Sequence, residues 1–267
     1  MSKIVVCGVA GRMGQRLADL TLAAEDLELC GGKEHPAHEA IGRDIGEVIG
    51  TGRLDLAVSD TLAGIVEPDR VVISFTTPEA TLEDAAFCAQ QGAAMVVGTT
   101  GFTPGQLAEF KRTVSGIRCV FASNFSTAMN VLFKLVEEAA SILGDDYDVE
   151  VIEAHHRHKV DAPSGSALTL AERAAAGLER NMDEVVVHGR QGVVGERTSK
   201  EIGMHAIRAG DLAGEHSVLY AAPGEYIELK HHATSRDSFA LGALRAARFA
   251  ADATPGFYSM GDVLGLS

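Results

Sequence analysis

Basic residues are scarce in this chain. It carries 23 Lys and Arg against 37 Asp and Glu, a formal net charge of −14 at pH 7. A nucleic-acid partner requires a basic footprint to neutralise phosphates, so this balance argues against one. Long apolar runs are also missing, and no stretch reaches the length that a bilayer crossing needs. Ile4 to Cys7 is too short, and too soon broken by Gly8, to be the apolar core of a signal peptide. Cysteine is sparse: Cys7, Cys30, Cys88 and Cys119 lie in apolar surroundings without a CxxC pair. They read as small buried hydrophobes of a reduced, cytoplasmic protein, and no metal site is expected from them. Internal repeats and low-complexity segments are absent.

What is present is a chain of 267 residues, 46% of them apolar, enough for a real core. At about 150 residues per domain, that length means one large domain or two modest ones. The β-branched run Ile4 to Cys7 reads as a buried parallel strand. Gly8-Val9-Ala10-Gly11-Arg12-Met13-Gly14 follows, then a helical stretch to about Ala24. Strand, glycine turn and helix form the context of a dinucleotide site, although the GxxGxxG spacing also suits a tight turn without a ligand. Glu34 lies about 20 residues beyond Gly14, where an acid reads ribose hydroxyls; an ordinary loop acid is the alternative. A carboxylate there favours NAD, while Lys33 and His35 beside it would tolerate the 2′-phosphate of NADP, so NADH, NADPH or both remain open.

Further strands are expected at 71–75, 94–97 and 119–122, with helices opening at Thr77-Pro78 and Thr103-Pro104. Thr76-Thr77, Gly98-Thr99-Thr100 and Ala122-Ser123-Asn124-Phe125 fall at the carboxyl ends of those strands, where open parallel sheets bind ligands. A helix over 127–143 is expected to bury Val131, Leu132, Leu135, Val136, Ala139 and Leu143. The pattern then changes to strands at 148–154, 185–188, 202–208, 217–221 and 226–231, an α+β unit with a mixed or antiparallel sheet, open on one face, that could serve as an oligomer interface. A last helix is expected over 238–251.

Against the acidic background, His155-His156-Arg157-His158-Lys159 is a knot of cationic or proton-carrying side chains. Ser164-Gly165-Ser166 then opens a helix, whose first amides can hold an anion. The arrangement suits a small acidic substrate that needs a proton. Zinc binding by His155, His156 and His158 is the weaker reading, because the spacing is not the helical H-E-x-x-H and a guanidinium sits among the ligands. Histidine titrates near neutrality and a crowded lysine can act as an acid, so a proton site fits better than a metal.

Gly8 to Gly14, Gly98 to Phe102, Ala122 to Ser126, the stretch Glu153 to Ala167, Arg208-Ala-Gly-Asp211 and Gly214-Glu-His216 together closely resemble the 4-hydroxy-tetrahydrodipicolinate reductases (dihydrodipicolinate reductases) of lysine, or diaminopimelate, biosynthesis. The resemblance implies a Rossmann-type parallel sheet domain from 1–126 and 237–267. It also implies an α+β substrate-binding and tetramerisation domain, with a mixed open sheet, over 127–236. It implies a homotetramer, hinge closure, and hydride transfer from NADH or NADPH to a cyclic imine dicarboxylate with loss of water. By position, Gly8, Val9, Ala10, Gly11, Arg12 and Met13 would hold the pyrophosphate, and Glu34, with His35 beside it, the ribose. Gly98, Thr99, Thr100, Ala122, Ser123, Asn124 and Phe125 would line the nicotinamide. His155 and Lys159 would handle protons, Lys159 as donor; His156, Lys159, Gly165 and Ser166 would bind the substrate. The sequence departs from the family at His35, where some members have Arg, and at Ser166, where Thr is usual. Another Rossmann oxidoreductase acting on a small dicarboxylate and a non-catalytic NAD(P) sensor are the rival readings; a sensor has no use for acid and base groups beside an anion cradle.

Overall fold

The structure is a computed structural model and describes residues 1–266. In chain order its elements are β1 (Ser2–Cys7), α1 (Arg12–Leu22), β2 (Leu27–Lys33), α2 (Ile45–Ile49), β3 (Val58–Ser59), β4 (Arg70–Ser74), α3 (Pro78–Gln91), β5 (Ala94–Val97), α4 (Pro104–Thr113) and β6 (Arg118–Phe121). Then come α5 (Thr127–Leu143), β7 (Asp148–His155), α6 (Gly165–Gly177), α7 (Met182–Val185), β8 (Val186–His188), β9 (Ile202–Arg208), β10 (Glu215–Ala222) and β11 (Glu225–His232). α8 (Asp237–Asp252), β12 (Gly256–Tyr258) and α9 (Met260–Leu264) complete it. The chain forms two compact units, one from Met1–Thr127 plus the chain from Asp237 onward, the other from Ala128–Arg236.

In the first unit the strands line up as β3-β2-β1-β4-β5-β6-β12, all parallel. The β-branched runs fill it because a sheet covered on both faces needs apolar residues at every position: Val71 to Ile73 and Ala94 to Val97 are buried throughout. Winding reverses between β1 and β4, the switch point beyond which open sheets bind ligands. α8 closes one face, with Ala240, Ala243, Ala247 and Ala250 packed into the same core as Ile4, Val6, Ile73 and Val96. The small side chains let it approach closely; a Cβ on Gly242 would sit 1.7 Å from the Phe125 carbonyl oxygen.

In the second unit the order is β11-β10-β7-β9-β8, antiparallel at β7–β10 and β10–β11 and parallel at β7–β9 and β8–β9. The expected mixed sheet is therefore present. Its inner face packs on α5 and α6, with Leu132, Val136, Leu170 and Ala174 against Val151, Met204, Val218 and Tyr220. The Tyr220 hydroxyl donates to the Val136 carbonyl at 2.7 Å. The outer face leaves Ile207 and Tyr226 exposed, at 48% and 70%.

Two expectations need correction. α5 buries Met129, Leu132, Phe133, Val136 and Ala140, whereas Val131 and Leu135 are exposed. This helix is apolar around much of its circumference, so spacing allows two phasings; the one adopted buries the large Phe133. Val185 ends the short helix α7, capped by Asn181, and the strand starts only at Val186.

Candidate active site

β1 runs directly into the glycine turn. Gly8 has φ +70°, the left-handed region, and a Cβ on Gly14 would lie 1.9 Å from the Gly8 carbonyl oxygen. α1 can leave the strand at this angle because position 14 has no side chain. Within the turn the Gly8 and Val9 amides donate to the Lys33 carbonyl at 2.8 and 3.2 Å, and Gly11 donates to Gly8 at 2.9 Å. The Ala10 amide donates to Glu34 Oε2 at 3.0 Å. α1 then starts at Arg12 behind Gly11, with neither a side-chain cap nor an acidic residue in its first turn. Thr77, Thr103 and Ser164, by contrast, cap α3, α4 and α6 with their hydroxyls. The uncapped amides of Arg12 and Met13 fit a pyrophosphate; the other members of the turn shape it.

Glu34 is fixed beside this turn, because its Oε1 also accepts from the His35 amide at 2.9 Å. Its remaining lone pairs suit ribose hydroxyls. His35 is exposed, with Nδ1 accepting from Ala37 at 3.2 Å. Lys33 does not flank the carboxylate as expected. Successive residues leave a strand on opposite sides, and Lys33 forms an ion pair with the buried Asp84 instead.

At the neighbouring strand ends, Thr99 is buried and its hydroxyl lies 2.7 Å from that of Thr81, with the Thr76 amide donating to it at 3.3 Å. Ser74 and Thr76 extend this hydroxyl chain at 3.0 Å. A Cβ on Gly98 would collide with the Phe75 ring at 2.2 Å. Phe125 is 1% exposed and packs against Phe75 with the rings tilted at 59° and centroids 5.5 Å apart. What Thr99 and Phe125 offer a ligand is therefore backbone; their side chains hold the strand ends together. Thr100 and Ser123 are exposed, Ala122 is half-buried, and Asn124 Oδ1 accepts from the Ser126 amide at 2.8 Å.

In the second unit, β7 delivers the proton-carrying loop. Val149, Val151, Glu153 and His155 alternate on its buried face. His155 Nδ1 lies 2.6 Å from Glu153 Oε2, and the Glu153 side chain is 0% exposed. Arg208 on β9 grips the same carboxylate bidentately, at 2.8 and 2.9 Å, and the Ser164 amide donates to it at 3.1 Å. The loop backbone is pinned by the His156 amide to Leu212 at 2.8 Å and the Ala209 amide to His155 at 2.9 Å. Lys159 is held by both carboxylate oxygens of Asp161, at 2.9 and 2.8 Å. Arg157 and His158 point to solvent, whereas His156 Nδ1 is buried with no hydrogen-bond partner among the described residues. Ser164 caps α6 by accepting from the Ala167 amide at 3.2 Å, and its hydroxyl lies 3.0 Å from His216 Nε2. Gly165 is exposed and its missing Cβ would meet nothing within 4 Å, so a ligand can reach the start of α6.

The family model described as dihydrodipicolinate reductase, N-terminus, matches residues 2–125, and the one described as dihydrodipicolinate reductase, C-terminus, matches residues 128–264. The chain belongs to the dihydrodipicolinate reductase family. Within the family, the 4-hydroxy-tetrahydrodipicolinate reductase of Syntrophobacter fumaroxidans is 47% identical over 100% of each chain. That of Alkalilimnicola ehrlichii is 48% identical over 99% of each. Among solved structures, the dipicolinate-bound dihydrodipicolinate reductase of Paenisporosarcina sp. TG-14 superposes with a TM-score of 0.72, at 24% identity over 97% of each chain. An amine dehydrogenase from Mycobacterium smegmatis gives 0.59 at 14% identity, covering 97% of this chain and 94% of that one. Both of these likenesses are of fold.

The cluster around His155 contains four residues to which the sequence reading gave no role: Glu153, Arg208, Ser164 and His216. The signal was present, since a carboxylate stands at an inward position of β7 where Val149 and Val151 prescribe an apolar residue. Burial pushes His155 below the ordinary imidazole value, against the opposing pull of Glu153. Burial would raise Glu153, but Arg208 and His155 outweigh it and hold the carboxyl low. His216, buried and beside His155, is pushed down to about 3. Among the described residues no cluster of His, Cys, Asp and Glu is arranged to hold a metal. No helix among them is long and apolar enough to cross a membrane.

Proposed function

We propose that this chain reduces 4-hydroxy-tetrahydrodipicolinate to tetrahydrodipicolinate, consuming NADH or NADPH and a proton and releasing NAD⁺ or NADP⁺ and water. The full-length family match carries the reading, and the pairing of a proton-carrying loop with an open helix start supports it. The cofactor, when bound, supplies the hydride. The Arg12 and Met13 amides hold its pyrophosphate, and the Gly8 to Gly11 turn shapes that cradle. Glu34 orients the adenosine ribose, with the exposed His35 at its side. Gly98 to Thr100 and Ala122 to Phe125 line the nicotinamide, Thr99 and Phe125 through their backbone.

On the substrate side, the Gly165 and Ser166 amides and His156 take the carboxylates, and the cationic loop offsets their charge on an otherwise acidic protein. Hydride arriving at a conjugated imine builds negative charge on the ring, and a nearby acid removes it. Lys159 is that acid, exchanging Asp161 for the substrate, and His155 shares the proton. We further propose that the protein works in the cytoplasm, within lysine and diaminopimelate biosynthesis, as a homotetramer built through the second unit's open sheet.

The test is NADH oxidation that depends on the condensation product of pyruvate and aspartate semialdehyde. Lys159→Ala should lower turnover by about two to four orders of magnitude and leave NADH affinity nearly unchanged. A variant that turns over at the parent's rate would overturn the assignment of the donor.

A further inference from the structure

A carboxylate with a fully buried side chain on the inner face of a sheet is an expensive choice of residue. Val149 and Val151 precede Glu153 on the same face of β7 and are buried at 1% and 0%. Packing alone is served there by another apolar residue, and replacing a buried ion pair with apolar side chains is often neutral or stabilising. Glu153 instead gathers hydrogen bonds from three elements. Arg208 of β9 donates from Nη1 at 2.8 Å and from Nη2 at 2.9 Å. The Ser164 amide at the start of α6 donates at 3.1 Å, and His155 Nδ1 lies at 2.6 Å.

The roles follow from valence. The bidentate guanidinium keeps the carboxylate ionised, and an ionised carboxylate only accepts. His155 must therefore donate from Nδ1, and Nε2 is left as the nitrogen that exchanges a proton with anything bound in the site. Position 214 keeps that nitrogen clear. Gly214 has φ +152°, and a Cβ on it would approach His155 Nε2 to 3.2 Å. Arg208 also donates from Nη2 to the Asp161 carbonyl at 2.6 Å, so one side chain braces both the histidine's partner and the segment whose carboxylate holds Lys159.

We propose that Glu153, locked by Arg208, is the positioning residue of this proton site: it fixes His155 in the Nδ1–H tautomer and orients Nε2 for proton exchange. The inference rests on the reductase reading for its kinetic consequences, but the tautomer itself does not. The ionisable groups that face Glu153 are His155 on its own strand, Arg208 on β9, His216 directly opposite on β10 and His231 next to it on β11. Lys159 and Asp161 complete the surroundings from the loop. Of these, His216 is buried and neutral, with Nε2 occupied by Ser164, so His155 is the group through which a change at Glu153 reaches the pH profile.

Two measurements test this. The first is nitrogen-15 NMR of the histidine rings in the unaltered protein at pH 7.5, with His155 assigned by comparison with His155→Gln. The expected signature is a protonated Nδ1 and an unprotonated Nε2; the opposite tautomer would overturn the proposal whatever the enzyme's substrate. The second is the pH dependence of kcat for Glu153→Gln, which keeps the shape and removes the charge. The expected loss in kcat is about tenfold to a hundredfold, by analogy with the range seen when a carboxylate that orients a metal-ligating histidine is removed. The limb governed by His155 should move to lower pH, because the charge that raises His155 is gone, with NADH affinity unchanged. A kcat and profile within twofold of the parent would refute the positioning role. If Glu153→Gln fails to fold, Gly214→Ala crowds Nε2 from the other side and should lower kcat while leaving the tautomer in place; an unchanged kcat there counts against the proposal. Absence of any reductase activity in the parent would remove the proposed function and leave the NMR result to decide the tautomer alone.

Discussion

Ser164 joins two tasks, and its removal separates them from the rest of the protein. Its hydroxyl accepts from the Ala167 amide at 3.2 Å, capping α6, and lies 3.0 Å from the Nε2 of the buried His216. In Ser164→Ala the cap is lost, worth about 1 kcal/mol. The His216 nitrogen is left buried without its partner, which costs a further ~1–3 kcal/mol because at 4% exposure water reaches it poorly. The expected total is about 2–4 kcal/mol. With a urea slope of about 2 kcal/mol per M, the midpoint for the second unit should fall by about 1–2 M. Function should change selectively: the start of α6 loosens, so substrate KM rises, while NADH affinity, which depends on the first unit, stays within twofold. Urea unfolding followed by hydrogen exchange at the α6 amides reads the first effect, and steady-state kinetics the second. Ser164→Thr keeps the hydroxyl and should recover most of both. A midpoint shift of about 0.5 M or less for Ser164→Ala, no more than the lost cap alone would give, would refute any contribution from the Ser164–His216 contact.

Other substitutions probe the cofactor end and the acid response. Gly14→Ala places a Cβ where only 1.9 Å separates it from the Gly8 carbonyl oxygen, so α1 must move; NADH affinity in a fluorescence titration should fall more than about tenfold. His35→Arg adds a guanidinium next to Glu34 and should raise NADPH affinity over NADH by about fivefold to tenfold, read from dissociation constants for both cofactors. The histidines set a direction for stability with pH. His216 has its folded value pushed down to about 3, from an ordinary 6.5. Below about pH 6.5 the unfolded chain takes up a proton that the folded one refuses, so stability present above that value is lost as pH falls towards 3. Urea midpoints at pH 7 and pH 5 should show this decline, and His216→Gln should flatten it.

The first unit was largely legible because its signals are local and repeated. A β-branched run, a glycine turn and a capped helix recur, and together they specify a parallel sheet with its ligand edge at the strand ends. β12 escaped because a Gly256–Tyr258 strand is too short to show a period; it is defined by pairing with β6, far away in sequence. Lys33 was misread for a related reason. Adjacency in sequence suggested a cation beside Glu34 for a 2′-phosphate, but alternation sends Lys33 to Asp84, a residue that only the folded chain brings near.

The proton site shows where a linear reading runs out. His155 and Lys159 stand out because the knot of charge is contiguous. The groups gathered around Glu153 and His155 are dispersed: Arg208 comes from β9, His216 from β10, and Ser164 from the cap of α6. Register brings them together, since Glu153 pairs with His216 on one side and Ala206 on the other, with His155 opposite Arg208. Glu153 was nevertheless marked in the sequence by its violation of the Val149, Val151 alternation. A charged residue at a position whose neighbours demand an apolar one has to be compensated by the rest of the fold, and here the compensating groups are Arg208 and His155. The same logic explains why the knot is confined to the end of β7. Apolar pairs such as Val149 with Tyr220 and Val151 with Val218 hold the near end of the sheet against α5 and α6. That packing leaves the far end free to carry titratable groups whose burial tunes them.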